Sequence, residues 1–548
     1  MKSKFLVILS LSSLILGSCV FLPIHRNNSS SSESQSSDTT ISSEEQSISS
    51  STDSKDSSSS SESIPEEEIE YIDIYATNDI HGAVMEETIN GHKRPGIGKL
   101  MTYLKDKGDK PNTLLLDQGD TWQGSIYSNY NHGRLITDVM NYVHYDARTI
   151  GNHDFDWGVD YLINNGKLTG EDGYKTPVLA GNVYDYDFDN REEGTRQLEE
   201  IGDTSVTYVL DNGLKVGIIG CIPRFQITTI NSMYTEEICF KDPIPFIKEE
   251  ALKLRRDEGC DAVICSVHGG QEDVVNRDLE RYVDLVLCAH THQLESTVNN
   301  GLHFYQYGCY GEYVGHITIS YSKDRKKIID VKNETIYAWD IVEETTEVDS
   351  YIQGLIDSYN AECENEANEV VANNVFGRFL STTSLPNLMA NAMYDQAVKE
   401  GYTIDLAYVN KARSNIEKTS WTYSDLYTAF PFDNLVFIME IDGEEFMNEI
   451  AYYNNIYRSP DFTSDVIDMK GTYRIAVIDY LCYHTDSNRR YDYFPKNGGK
   501  TIGTLQDNYR VILKNWLKAN NYNNGERLDY TNYLSSNWSF NNTVFTHN

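Results

Sequence analysis

The chain has no long hydrophobic run. It has 548 residues, 40% of them hydrophobic, so it can build cores. Its mean hydropathy is nevertheless −0.49, and its one notable apolar run, Phe5 to Leu16, is short, which excludes a polytopic membrane protein. It also has no block of Lys or Arg. With 46 Lys and Arg against 83 Asp and Glu, the net charge is −37, and such a surface repels polynucleotides and offers no phosphate-backbone footprint. Neither a stable nucleic-acid complex nor a protein partner is expected. Cysteines number nine, none in a Cys-x-x-Cys pair, so a thiolate zinc site is not indicated. A Walker-type Gly-x-x-x-x-Gly-Lys-(Ser/Thr) is absent too, which removes support for an NTP-binding P-loop. The length exceeds that of one typical domain.

What is present begins with two segments outside any fold. Lys2 and Lys4, the apolar core, and Leu16-Gly17-Ser18-Cys19 resemble a bacterial lipoprotein signal spanning residues 1–18. Cleavage before Cys19 would leave a lipid anchor on that cysteine and place the protein on the outer face of a bacterial cell membrane. From Cys19 to residue 68 the chain is dominated by Ser, Thr, Glu, Asp and Gln. Such a composition cannot offset its chain entropy by burial, so a flexible acidic stalk is expected.

Residues 69–342 alternate strand-like and helix-like segments, the pattern of a layered α/β domain. Five of the strand-like runs end in polar clusters. Ile72 to Ala76 leads into Asn78-Asp79-Ile80-His81, Thr113 to Leu116 into Asp117-Gln118-Gly119-Asp120, and Ala147 to Ile150 into Gly151-Asn152-His153-Asp154-Phe155-Asp156. Ala262 to Val267 leads into His268, and Leu285 to Cys288 into Ala289-His290-Thr291-His292. Strand ends are held rigidly while the loops beyond them converge. Asp79 and His81, like His290 and His292, are two apart, and in extended backbone such pairs point to one side. Oxygen and imidazole ligands without thiolate suit Zn²⁺, Mn²⁺ or Co²⁺. A carboxylate can also bridge two cations, and Asp120 is the candidate.

This series resembles the calcineurin-like metallophosphoesterase signature of Asp-x-His, Gly-Asp, Gly-Asn-His-(Asp/Glu), a later His, and Gly-His-x-His, with Ala289 in place of the last glycine. The resemblance implies a β-sandwich flanked by helices and two divalent ions. Asp79, His81, Asp120 and His292 would hold one ion, and Asp120, Asn152, His268 and His290 the other. It further implies attack by a water made hydroxide-like between the ions. His153 would stabilise the transition state and assist the leaving oxygen, with Asp156 fixing its ring. Asp117 and Asp154 read as strand-end caps. His92, His132, His144, His303 and His316 carry no motif.

A linker helix is expected over 343–369, followed by a second α/β domain over 370–548. Its segments Tyr408-Val409-Asn410-Lys411-Ala412-Arg413 and Pro431-Phe432-Asp433-Asn434 resemble the Asn-Gly-Gly-Gly-Ile-Arg and Pro-Phe-x-Asn elements of the 5'-nucleotidase family. That family includes UDP-sugar hydrolases and 2',3'-cyclic nucleotide phosphodiesterases. The similarity implies a small nucleotide substrate, most plausibly a nucleoside 5'-monophosphate, with Arg413 on phosphate or carboxylate. Phe432 and Tyr480 would stack on the base, and Asp486 would contact ribose. Asn410 would act for the family asparagine from a shifted position, and Arg378 would be a further phosphate contact. Two departures stand out: Val409-Asn410-Lys411 replaces the triple glycine, and His484-Thr485 replaces the two glycines before the aspartate. With catalytic groups in one domain and base contacts in the other, a domain rotation about the linker is expected to carry substrate to the metals. A 2',3'-cyclic nucleotide phosphodiesterase or UDP-sugar hydrolase is the alternative within the enzyme class, and a nucleotide-binding surface lipoprotein is the alternative of another class.

Overall fold

Leu114, Leu115 and Leu116 are consecutive and all buried, yet they belong to two cores. Leu114 and Leu116 face one way and Leu115 the other, the period-two alternation of a strand covered on both faces. The same division runs through two six-stranded sheets. The first is ordered Lys327–Tyr337, Tyr313–Ser322, Ile69–Thr77, Thr113–Asp117, Ala147–Thr149, Val178–Leu179. The second is ordered Leu294–Asn299, Leu302–Tyr307, Leu285–Leu287, Ala262–Val267, Lys215–Cys221, Ser205–Val209. Ile72, Ile74 and Ala76 of the first sheet share a core with Val216, Ile218, Ile264 and Leu287 of the second, so the sheets pack face to face.

The structure is a computed structural model, described over residues 67–89, 91–187, 190, 192–444, 456–458, 466–485, 491–493, 500–534 and 544–546. The signal segment, Cys19, nearly all of the expected stalk, and Asp486 lie outside the described residues. Among those described, no helix is long and apolar enough to cross a membrane, and the cysteines are free thiols.

Helices cover the outer faces. Gly96–Gly108, Arg134–Val143 and Ser350–Ala367 bury Leu100, Met101, Val139, Met140, Ile352 and Ile356 against the first sheet. Asp349 caps the last of these by accepting from the backbone N–H groups of Tyr351 and Ile352. Pro243–Arg256 buries Ile247, Ala251 and Leu254 on the second sheet beside Cys221, Cys265 and Cys288, which act as small apolar side chains. Asp242 at its start and Lys253, Arg255 and Arg256 in its last turn match the helix dipole. The C-terminal region adds a five-stranded mixed sheet, ordered Ile456–Arg458, Leu406–Tyr408, Thr472–Ile478, Val436–Asp442, Lys500–Thr504. Its core includes Leu388 and Met389 of helix Ser384–Lys399 and Leu513 of helix Tyr509–Ala519.

The central strands Ile69–Thr77, Thr113–Asp117 and Ala147–Thr149 run parallel, as do Lys215–Cys221, Ala262–Val267 and Leu285–Leu287. Thr149 Oγ1 and Ser266 Oγ meet at 2.6 Å across the sandwich, so the C-terminal ends of both sets open on the same edge.

Half-buried Asp146 is one of the acids that couple the fold to pH. The Asp146 carboxylate accepts from the Leu115 backbone N–H at 2.8 Å, and burial pushes its pKa up to about 7. The folded value lies above the unfolded one, so this group's stabilising contribution is complete only below the unfolded value and is lost as pH rises through about 7. Asp146→Asn keeps an acceptor for Leu115. Its melting temperature, relative to wild type, is expected to be roughly 2–3 °C higher at pH 8.5 than at pH 5. An offset that does not change with pH would contradict this.

Candidate active site

At the shared edge, the loops after the strands bind one another through their backbones. Asp79 N–H donates to Gly119 O at 2.9 Å, His81 N–H to Asp120 O at 2.9 Å, and Gly82 N–H to Thr121 O at 3.0 Å. Asp79, His81, Asp120, His290 and His292 all have positive φ, between 48° and 74°. The Asp79/His81 and His290/His292 pairs therefore converge through left-handed turns rather than through the extended backbone expected from their spacing. Such a conformation is costly for a residue with a Cβ, and clusters of it mark functional sites. Gly151 shows how close the loops come: a Cβ there would lie 2.1 Å from Asp120 Oδ1. Ala289 is buried and has no positive φ, so its methyl is accommodated where the related signature has glycine.

Two groups of metal-ligating atoms result: Asp79, His81 and His292, and Asp120, His268 and His290, with the ligand atoms of each group within 4.8 Å of one another. Asp120 lies between them. Its Oδ1 accepts the His153 backbone N–H at 2.7 Å. Its Oδ2 is 3.7 Å from His81 Nε2 and 3.2 Å from His268 Nε2, with no hydrogen-bond partner among the described residues. Asp79 behaves alike. Its Oδ2 accepts from Asn78 Nδ2 and the His290 N–H, while Oδ1 has no hydrogen-bond partner among the described residues and lies 3.4 Å from His292 Nε2. Asn152 Oδ1 is 3.0 Å from both His268 Nε2 and His290 Nδ1. His81 Nδ1 donates to Gln123 O and His268 Nδ1 to Gln118 O, which turns both Nε2 atoms inward.

Buried carboxylate oxygens without partners, ringed by imidazole nitrogens, are a donor set that fits two divalent cations. The protonation pattern agrees. Burial opposes charge on His268, yet the adjacent Asp120 carboxylate outweighs it and pushes that imidazole up to about 10. Burial and then the charge of His268 push His290 down to about 3. One proton thus supplies part of the positive charge that the carboxylates require.

His153 sits beside this centre. Its Nδ1 donates to Asp156 Oδ2 at 2.9 Å, and its Nε2 accepts from Arg413 Nη2 at 2.6 Å. Phe432 also reaches the site from the C-terminal region, its ring 5.3 Å from the His153 ring and 5.2 Å from the Arg413 guanidinium carbon. Burial raises the half-buried Tyr480 phenol, and the charges of Arg413 and Asp156 act on it. Asn410 is half-buried in the loop before Arg413. Arg378 is exposed and pairs with Glu417 at 2.6 Å.

Asp117 and Asp154 brace the turns. Asp117 accepts from Gly119 N–H, Thr121 Oγ1 and Thr77 Oγ1, and Asp154 from Thr121 N–H and Gly151 N–H. Among the remaining histidines, His316 pairs with Asp73 and His144 with Asp172. Sequence reasoning missed Asn78, which carries Asp79 and could have been found beside it in the strand-end cluster. It also missed Tyr310, whose ring lies 5.6 Å from that of His81 and under Arg94 at 3.7 Å. One of 39 tyrosines, Tyr310 carries no local signal.

Residues 72–294 match the calcineurin-like phosphoesterase family, and residues 367–464 match the 5'-nucleotidase C-terminal domain. The chain belongs to the 5'-nucleotidase family. A 5'-nucleotidase of Diplobatis ommata is 24% identical over 75% of this chain and 77% of its own length. Endonuclease YhcR of Bacillus subtilis is 25% identical over 74% of this chain but 34% of its own length, so the chain spans about a third of that relative. In fold, this member of the 5'-nucleotidase family resembles the crystal structure of a 5'-nucleotidase precursor from Thermus thermophilus. The TM-score is 0.65 at 19% identity, covering 82% of this chain and 96% of that one.

Proposed function

We propose that this chain is a dimetal phosphohydrolase that releases phosphate from nucleotides, chiefly nucleoside 5'-monophosphates. The observation that carries the reading is the unpartnered Asp120 Oδ2 set between two histidine groups, with His153 on its other oxygen. When bound, two divalent cations neutralise phosphate charge and activate water near neutral pH.

The chain's own residues do the rest. Arg413 offers a planar fork of donors to the phosphate oxygens once substrate separates it from His153. Phe432 and Tyr480 hold the base by its faces, which is worth roughly 1–3 kcal/mol per stack and tolerates several bases. His153, fixed by Asp156, holds a proton at Nε2 for the departing 5' oxygen, and the Asp156 carboxylate stabilises the imidazolium. The Arg413 contact with His153 belongs to a closed arrangement, and rotation about helix Ser350–Ala367 would open it for exchange. The domain limits given above, the roles of Asn410, Arg378 and Asp486, and export with a lipid anchor at Cys19 are parts of the same proposal. The anchor is supported by the basic start, short apolar core and Leu16-Gly17-Ser18-Cys19.

One observation favours phosphodiesters as a second substrate class. A narrow cleft of about 30 Å³ opens on the His81 side of Arg413, lined by Glu87, Arg94, Gln123, Ser125 and Ser414. Gln123 Nε2 is buried without a partner among the described residues. The second ester substituent of a diester would have that donor to meet, and a monoester has no such substituent.

The test is phosphate release from AMP by the purified protein after chelation, followed by restoration of Zn²⁺, Mn²⁺, Co²⁺ or Mg²⁺. Release is expected to vanish and return. Hydrolysis of bis(p-nitrophenyl) phosphate without AMP turnover would favour the diester reading, and inactivity on both would leave a nucleotide-binding protein.

A further inference from the structure

Beneath the metal-bearing turns lies a small cavity that plays no part in the proposed reaction. Trp122, Arg148 and Thr176 line it, together with the apolar Met140, Leu168 and Val178. The three polar residues are 1%, 3% and 6% exposed. Trp122 Nε1, Arg148 Nη2 and Thr176 Oγ1 each have no hydrogen-bond partner among the described residues. An unpaired buried donor costs about 1–3 kcal/mol, and three on the wall of one cavity call for an occupant. The free space suits roughly one water-sized atom.

The chemistry of the wall selects that occupant. The indole and guanidinium nitrogens can only donate, and the hydroxyl has a proton to place. Several other polar groups on the wall are already engaged. Asn141 Nδ2 donates to Leu168 O and its Oδ1 accepts the Thr176 N–H, Asn165 Nδ2 donates to His132 O, and Thr137 Oγ1 donates to Gly133 O. A water accepts two hydrogen bonds and must then find acceptors for its own protons, whereas a monoatomic anion accepts three or more and brings charge to Arg148.

We infer that this cavity is a structural site for a halide-sized anion, held by Trp122 Nε1, Arg148 Nη2 and Thr176 Oγ1. The site supports the metal centre from below. The Arg148 guanidinium stacks on the Trp122 ring at 4.0 Å, and its Nη1 reaches Asp154 Oδ2 at 3.3 Å and Thr121 Oγ1 at 3.4 Å. Asp154 in turn holds the Thr121 and Gly151 N–H groups, next to Asp120 and Asn152. An anion that fixes Arg148 therefore fixes the turns that carry those ligands.

The experiment is a thermal-unfolding titration of the purified protein at constant metal and ionic strength, exchanging sodium gluconate for sodium bromide. A saturable rise in melting temperature is expected, with the half-saturating bromide raised about tenfold or more in Thr176→Val, which keeps the shape but loses one donor to a charged group. A rise that does not saturate, or one unchanged in Thr176→Val, overturns the site. Should that variant fail to fold, bromide-soaked crystals of the wild type decide. An anomalous peak in contact with the three donors supports the proposal, and a cavity holding only water, or nothing, refutes it. Neither readout depends on turnover, so failure here leaves the phosphohydrolase reading standing.

Discussion

Asp120→Ala is expected to lower phosphate release from AMP by roughly 10³-fold or more and to reduce bound metal, measured by elemental analysis, from about two ions per chain to one or fewer. The size of the effect follows from position. Asp120 Oδ2 is 3.2 Å from His268 Nε2 and 3.7 Å from His81 Nε2, so one side chain faces both candidate sites, and its Oδ1 also holds the backbone of His153. Removing it leaves the imidazoles of both groups without their shared anion. The loss should exceed that in Asn152→Ala, which removes an oxygen facing only His268 and His290. An Asp120→Ala protein with full metal content and a rate within about tenfold of wild type would end the bridging role.

The candidate residues of this centre are legible in the sequence for a physical reason. Parallel strands buried on both faces read as uninterrupted apolar runs, so Asp79, Asp120, Asn152, His268 and His290 stand out as abrupt polar residues where those runs stop. The β-sandwich is less legible from the runs themselves. Leu114, Leu115 and Leu116 are equally apolar, and only the packed structure shows that the middle one faces the helices while the outer two face the other sheet. The turn geometry is not legible at all. Asp79, His81, His290 and His292 carry no glycine-like signature, and their left-handed conformations are imposed by tertiary hydrogen bonds such as His81 N–H to Asp120 O.

Spacing from the end of the first sheet cannot foresee Tyr310 either, because it reaches His81 and His292 only after the chain has crossed to the second sheet. In the C-terminal region, Arg413 and Phe432 are readable because each sits in a short, distinctive segment. The proposed role of Arg378 rests on resemblance alone, since its side chain is exposed and paired with Glu417.

His153→Ala carries the other large expected effect, a fall of about 10²- to 10⁴-fold in kcat on AMP, the range for loss of a positioned proton donor, with metal content unchanged. His153 offers only its backbone N–H to Asp120, so truncating the ring removes no metal-facing atom. The ring's two nitrogens are both assigned, Nδ1 to Asp156 and Nε2 to Arg413. The first contact orients the imidazole, and the second marks where phosphate must enter.

If His153 acts by giving a proton to the departing oxygen, its value depends on how badly that oxygen needs one. A nucleoside 5' alkoxide is a poor leaving group, whereas p-nitrophenolate leaves without a proton. His153→Ala should therefore lose far less on p-nitrophenyl phosphate than on AMP, and Asp156→Asn should show the same asymmetry with a smaller loss. Equal losses on both substrates would instead assign His153 to charge stabilisation at phosphorus or to seating Arg413. In that case the 2.6 Å contact between Arg413 and His153 would be the residue pair to dissect by a double-mutant cycle.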